Sequence, residues 1–178
     1  MDFEGFGKIP RLSREIVITE KLDGTNAQIC IDDEGNMQVG SRKRWITPGD
    51  DNYGFARWVE ENAVELLKLG PGRHFGEWWG KGIQRGYGLN EKRFSLFNVA
   101  KWSDDSVRPA CCSVVPVLYR GALAEFAVYE VLDNLEDYGS VAAPGFMDPE
   151  GIIIYHTAGN LYFKKTLKND DKPKGSKE

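Results

Sequence analysis

Histidine and cysteine are scarce in this chain, with two and three copies among 178 residues. The two histidines, His74 and His156, supply little material for a zinc centre or a histidine-dependent catalytic triad. Three cysteines, odd in number and with Cys111 and Cys112 adjacent, do not make a secreted disulfide framework. Cys30, on a predicted strand, reads as a small core residue, and His74, beside Phe75, reads as structural. No apolar run approaches the about eighteen residues that a membrane-spanning helix needs. Met1-Asp2-Phe3-Glu4 is acidic and lacks an apolar signal core, which points to the cytoplasm. Neither a Gly-x-x-x-x-Gly-Lys-Ser/Thr phosphate loop nor a Gly-x-Gly-x-x-Gly helix opening is present, and the glycine-rich stretch Gly82 to Gly88 fits neither. Positive charge is not in excess either. With 23 Lys and Arg against 27 Asp and Glu the net charge is −4, and bulk charge argues against a nucleic-acid partner.

What is present is one ordinary domain's worth of chain. Hydrophobic residues make up 41%, too many for a disordered polymer and enough for a core. The charge is uneven: Gly121 to Glu150 holds seven acids and no Lys or Arg, so removing that −7 from −4 leaves about +3 for the rest. Basic residues cluster at Arg42-Lys43-Arg44, between Lys81 and Lys101, and from Lys164 to Lys177.

Glu15 to Lys21 is rich in β-branched residues and stops at the turn signal Asp23-Gly24, so it reads as a strand. Ala27–Ile31 and Met37–Gly40 form a predicted hairpin around Asp33-Glu34-Gly35-Asn36. Asp51 to Leu69 carries apolar residues near helical spacing and ends at Gly70-Pro71-Gly72. Arg73–Trp79 and Arg93–Trp102 read as strands. Ala122–Leu135 reads as an amphipathic helix with Phe126, Val131, Leu132 and Leu135 on its apolar side. Gly151–Tyr155 and Asn160–Lys165 pair across a second hairpin, and residues 169–178 form a polar tail expected to be mobile. Hairpins with inserted helices make the fold class α+β, with mainly antiparallel sheets and flanking helices. Trp45, Trp78 and Trp79 are expected in the core, with stacking on bases the other reading.

Lys21 ends its strand in Lys21-Leu22-Asp23-Gly24-Thr25-Asn26, where a glycine turn leaves it accessible to a ligand. A lysine is a nucleophile only when deprotonated, which takes desolvation or nearby positive charge. Further along come Phe75-Gly76-Glu77-Trp78-Trp79-Gly80, Phe94-Ser95-Leu96-Phe97-Asn98-Val99, Glu150-Gly151-Ile152-Ile153-Ile154-Tyr155 and Phe163-Lys164-Lys165. In order and content these motifs resemble the covalent lysyl-nucleotidyltransferase superfamily of ATP-dependent ligases and mRNA capping enzymes. Glu20-Lys21, Asp23-Gly24-Thr25-Asn26 and Ser41-Arg42 look most like the RNA ligases that seal nicks in duplex RNA.

The resemblance implies a nucleotidyltransferase domain over residues 1–168 in which Lys21 attacks the α-phosphate of ATP and becomes lysyl-AMP. AMP then passes to an RNA 5′-phosphate, and a 3′-hydroxyl displaces it. It places Glu20, Asp23, Gly24, Asn26, Arg42, Glu77, Phe97, Lys164 and Lys165 around the nucleotide. Asn26 and Arg42 match phosphate contacts, Glu77 the ribose carboxylate, Phe97 the ring stacked on adenine, and Lys164 the cation at the α-phosphate. Lys165 falls on the opposite face if the strand alternates. Glu150 matches the metal-associated carboxylate, with Mg²⁺ the expected ion and Mn²⁺ an alternative. Asn98 stands where relatives often carry Asp. The expected partner is RNA with 5′-phosphate and 3′-hydroxyl ends, as a nicked duplex, and no membrane. No C-terminal oligonucleotide-binding barrel or helical domain follows the last motif, so a protein partner supplying that module is also expected. The basic tail residues Lys168, Lys172, Lys174 and Lys177 are candidate phosphate contacts. A DNA ligase, a capping guanylyltransferase and a non-catalytic nucleotide- or RNA-binding module are the other readings.

Overall fold

The computed structural model describes residues 1–171, so Lys172, Lys174 and Lys177 lie outside the described residues. Strand β1 (Glu15–Lys21) forms where predicted and alternates two functions. Ile16, Ile18 and Glu20 point to one face, Val17, Thr19 and Lys21 to the other. It lies in a four-stranded antiparallel sheet of order β10-β9-β1-β8, made with β8 (Val117–Ala122), β9 (Gly151–His156) and β10 (Leu161–Thr166). The first face packs on helix α4 (Glu125–Tyr138): Ile16, Ile18 and Ile152 meet Val131, Leu132 and Leu135.

The chain then turns through residues 22–24 into a six-stranded sheet of order β4-β3-β2-β5-β6-β7. Its strands are β2 (Thr25–Ile31), β3 (Met37–Ser41), β4 (Trp45–Ile46), β5 (Gly72–Gly80), β6 (Lys92–Leu96) and β7 (Ser113–Val114). All neighbours are antiparallel except β6 and β7. One face carries the main core, where Ile29, Trp78, Phe94 and Leu96 pack against Phe55, Leu66 and Trp102. Those three come from α1 (Phe55–Glu61), α2 (Ala63–Leu66) and α3 (Val99–Trp102). A third cluster, Leu22, Trp79, Tyr87, Val115 and Ala143, joins the two sheets. Each sheet thus covers one face with helices and leaves the other turned to the junction.

Five expectations need correction. The Asp51–Leu69 helix is broken at Asn62 (φ −112°) into α1 and α2, with a 3₁₀ turn over Leu67–Leu69. The Arg93–Trp102 strand ends at Leu96, because the Asn98 side chain accepts the Lys101 N–H and caps α3, whose Trp102 swings into the core. The Ala122–Leu135 helix starts at Glu125, Ala122 belonging to β8; Ala127 takes the buried position expected of Phe126, which is exposed. Trp45 is exposed, while Trp78 and Trp79 are buried as expected. Finally, Cys30 is half-buried on the sheet face away from the main core, because Ala27, Ile29 and Ile31 occupy the inward positions of β2. His74 is indeed buried, edge-on to Trp102, with a ring nitrogen 2.9 Å from the Gly70 carbonyl. Among the described residues no helix is long and apolar enough to cross a membrane.

Candidate active site

Lys21 closes β1 where the two sheets meet, and its side chain is about one-fifth exposed. Its Nζ donates to Glu150 Oε2 at 2.6 Å. The contact spans adjacent strands, since Lys21 pairs with Gly151 at the start of β9. An amine acts as a nucleophile only through a free lone pair, which this contact with the carboxylate does not leave available.

Glu77 sits in the middle of β5, opposite Asn26 of β2 and Ser95 of β6. Its carboxylate accepts the Gly24 N–H (3.1 Å) at Oε1 and Asn26 Nδ2 (2.9 Å) at Oε2. Burial pushes its pKa up to about 7, against the opposing pull of Lys21 and those two hydrogen bonds. Gly24 is required sterically: a Cβ there would lie 2.3 Å from the Trp78 carbonyl oxygen. Lys21, Gly24, Asn26, Glu77 and Glu150 are therefore brought together from three separate stretches of chain.

The remaining expected residues divide. Phe97 follows β6 directly, on the Glu77 face, and is half-exposed with its ring available to a ligand. Arg42 stands one residue beyond the last β2–β3 pair, Ala27 with Ser41, so it neighbours Asn26 at the cleft edge and is exposed. Lys164 pairs with Ile153, which pairs with Thr19. It shares the Lys21 face, two strands across and two residues along, roughly 12 Å away between Cα atoms.

Three residues expected at the nucleotide do other work. Lys165 points to the far face, where its ammonium meets Asp170 (3.2 Å) and the Tyr129 ring of α4. The Glu20 side chain also turns that way. It accepts Ser140 Oγ (2.6 Å) and the N–H groups of Val141 and Ala142, pinning the loop after α4. Burial raises its pKa, and those hydrogen bonds pull it down. Asp23 is buried; its N–H donates to Tyr87 Oη (2.8 Å) and its carboxylate takes Arg85 Nε (2.9 Å).

Arg85 is the residue that the sequence reading missed. Its Nη1 also donates to the Asp148 and Pro149 carbonyls (2.8 and 3.3 Å), so one guanidinium ties the turn after Lys21 to the segment that delivers Glu150. The only sequence signal was its place in the glycine-rich stretch Gly82–Gly88, which fitted no phosphate loop.

Among the described residues no group of three or more His, Cys, Asp or Glu could hold a metal by itself. An ion of the Mg²⁺ kind takes one or two carboxylates and completes its shell with water and substrate phosphates. Glu150 and Glu77 are the carboxylates present in the cleft.

Two mostly antiparallel sheets meet over a strand-end lysine, with carboxylates from β5 and from the residue before β9, in an α+β domain. The chain belongs to the RNA ligase family, whose model matches residues 14–169. Solved structures of a Naegleria gruberi RNA ligase are similar in fold. The form with pyrophosphate matches with a TM-score of 0.64 at 20% identity, over 90% of this chain and 53% of that one. An alanine mutant with ATP and Mn matches with 0.61 at 19% identity, over 86% and 50%. An apo mutant matches with 0.63 at 20% identity, over 90% and 53%. The chain thus spans about half the length of those ligases. No curated protein matches it.

Proposed function

We propose that residues 1–168 are the nucleotidyltransferase domain of an ATP-dependent RNA ligase that works through lysyl-AMP. The observation that carries this reading is the Lys21–Glu150 contact of 2.6 Å in a cleft shared with Glu77, Asn26 and Gly24. Lys21 Nζ, once deprotonated, forms a P–N bond to the α-phosphorus of ATP. The bond from that phosphorus to the bridging oxygen breaks, and pyrophosphate leaves. An oxygen of the RNA 5′-phosphate then attacks the same phosphorus, and Lys21 departs as the amine. In the last step a 3′-hydroxyl attacks the activated 5′-phosphorus, AMP leaves, and the phosphodiester is closed. Glu77 accepts the ribose hydroxyls in its ionised form, and Phe97 stacks on the adenine. Asn26, Arg42 and Lys164 face the phosphates, where fixed donors and charge stabilise the transfer. Mg²⁺ or Mn²⁺ bound at Glu150 would neutralise phosphate charge. The ligands in the Naegleria ligase structures, ATP with Mn and pyrophosphate, support this cofactor set.

Incubation with α-labelled ATP and Mg²⁺, followed by denaturing electrophoresis, tests the reading. Label is expected on the wild type and absent from Lys21→Ala. Label surviving in that variant overturns Lys21 as nucleophile. Label from GTP alone indicates capping chemistry, and no covalent label at all leaves a non-catalytic binding module. Sealing of nicked duplex RNA against nicked DNA and single-stranded RNA then assigns the substrate, for which nicked duplex RNA is expected. Joining that needs an added protein identifies a partner supplying further nucleic-acid contacts. The odd number of cysteines supports the cytoplasm as the compartment.

A further inference from the structure

On the face of the six-stranded sheet opposite its core, Glu77 and Trp79 are buried. Beyond Glu77 that face carries a lateral row of exposed rings. Phe97 donates its N–H to the Phe75 carbonyl, and Phe75 pairs with Gln28, Gln28 with Gly40, and Gly40 with Trp45. Phe97, Phe75 and Trp45 are 40%, 50% and 48% exposed. Residues directly opposite on neighbouring strands share a face, so these rings all point to the same side, away from Ile29 and Ile46. From Phe75 to Trp45 the row covers three strand spacings, roughly 14 Å.

The gap between the rings is built. A Cβ on Gly40 would come within 2.9 Å of Gln28 Cγ, so glycine lets the Gln28 side chain lie across β3. Gln28 Oε1 in turn accepts Arg73 Nη1 at 2.8 Å, and the guanidinium lies over the Trp45 ring, 5.5 Å from its centroid. Arg42 and Lys43 stand exposed at the neighbouring turn. The acids nearby are engaged: Asp50 takes Arg44, Asp51 accepts the Ala56 and Arg57 N–H groups, and Glu77 is buried. Flat rings interleaved with exposed cations suit a partner with planar bases and a phosphate backbone.

We propose that this row is a stacking platform for an RNA strand entering the Lys21 cleft, with bases on Trp45 and Phe75 and phosphates on Arg73 and Lys43. It rests on the RNA ligase reading for its ligand, yet its binding can be measured without any covalent step. Fluorescence anisotropy with a labelled nicked duplex RNA compares the wild type with Trp45→Ala, Trp45→Phe and Arg73→Ala, alongside lysyl-AMP formation from labelled ATP. Trp45→Ala is expected to weaken RNA binding about tenfold, and Trp45→Phe to restore most of it, as loss and recovery of a stacked ring require. Arg73→Ala is expected to weaken binding and to reduce the slope of log K against log salt by about 0.7 to 0.9, the value for one phosphate contact. Lysyl-AMP formation stays at the wild-type level in all three. Unchanged RNA affinity in both alanine variants overturns the proposal and leaves the row as a face for a protein segment. Parallel loss of lysyl-AMP formation and RNA binding also overturns it, since the row would then act through the nucleotide cleft. No RNA binding by the wild type overturns it as well. A wild type that binds RNA but forms no lysyl-AMP refutes the catalytic reading alone, and the anisotropy comparison still decides the platform.

Discussion

Glu77 owes its chemistry to its position in the middle of a buried strand. Its pKa is raised from the ordinary 4.5 to about 7 chiefly by burial, so the folded protein holds that proton more tightly than the unfolded chain. Folded stability therefore falls as pH rises from about 4.5 through 7, by about 3 kcal/mol at most from this group. Glu77→Gln cannot ionise and lacks this slope. Urea unfolding at pH 5 and pH 8 is expected to show the variant gaining on the wild type at the higher pH; an equal difference at both refutes the raised pKa. Gly24 acts by having no side chain. With the Trp78 carbonyl 2.3 Å from an added Cβ, Gly24→Ala is expected to destabilise the fold by roughly 1–3 kcal/mol, seen as a lowered Tm.

Arg85 adds a side-chain tie around the cleft to the backbone pairing of β1 with β9. It joins the turn that follows β1 to the segment that opens β9, two pieces far apart in sequence. Removing it leaves the Asp23 carboxylate buried without its guanidinium; with Arg85 itself partly exposed, a loss of about 2 kcal/mol is expected for Arg85→Ala. Because the clasp positions Glu150 relative to Lys21, lysyl-AMP formation is expected to lose rate more than ATP affinity. Arg85→Lys restores little, since one ammonium cannot bridge the same set of acceptors. A variant with wild-type single-turnover rate refutes the positioning role. At this scale the sequence was legible where periodicity acts alone. The strands Glu15–Lys21 and Gly151–His156 and the β2–β3 hairpin stand within a residue or two of expectation. It was illegible where a local cap or a core demand competed, as at Asn98, whose side chain ends a strand pattern that hydrophobicity would have carried to Trp102.

For the whole molecule the charge argument reverses. The acids Glu130, Asp133, Glu136 and Asp137 are exposed on α4, which packs on the sheet face opposite Lys21. The cleft side carries Arg42, Lys43, Arg73 and Lys164. Replacing Glu130, Asp133 and Asp137 by their amides raises net charge by three, yet RNA affinity at about 0.15 M salt is expected to change less than twofold, because the far face is screened beyond a Debye length of about 8 Å. A strong gain in affinity would mean that bulk charge, rather than the cleft face, governs binding.

The sequence by itself determined the α+β class, the order of the motifs and the candidate set around Lys21, because strand alternation, turn residues and motif spacing are local properties of the chain. Only the tertiary structure decided which members of that set face the cleft. Lys164 does and Lys165 does not, because the β9–β10 register fixes the face of each residue. The Glu20 and Asp23 side chains are spent on holding the loop after α4 and on Arg85. The Arg85 contacts join loops distant in sequence, and the Trp45–Phe75–Phe97 row joins strands distant in sequence and adjacent in the sheet, contacts that no local pattern encodes.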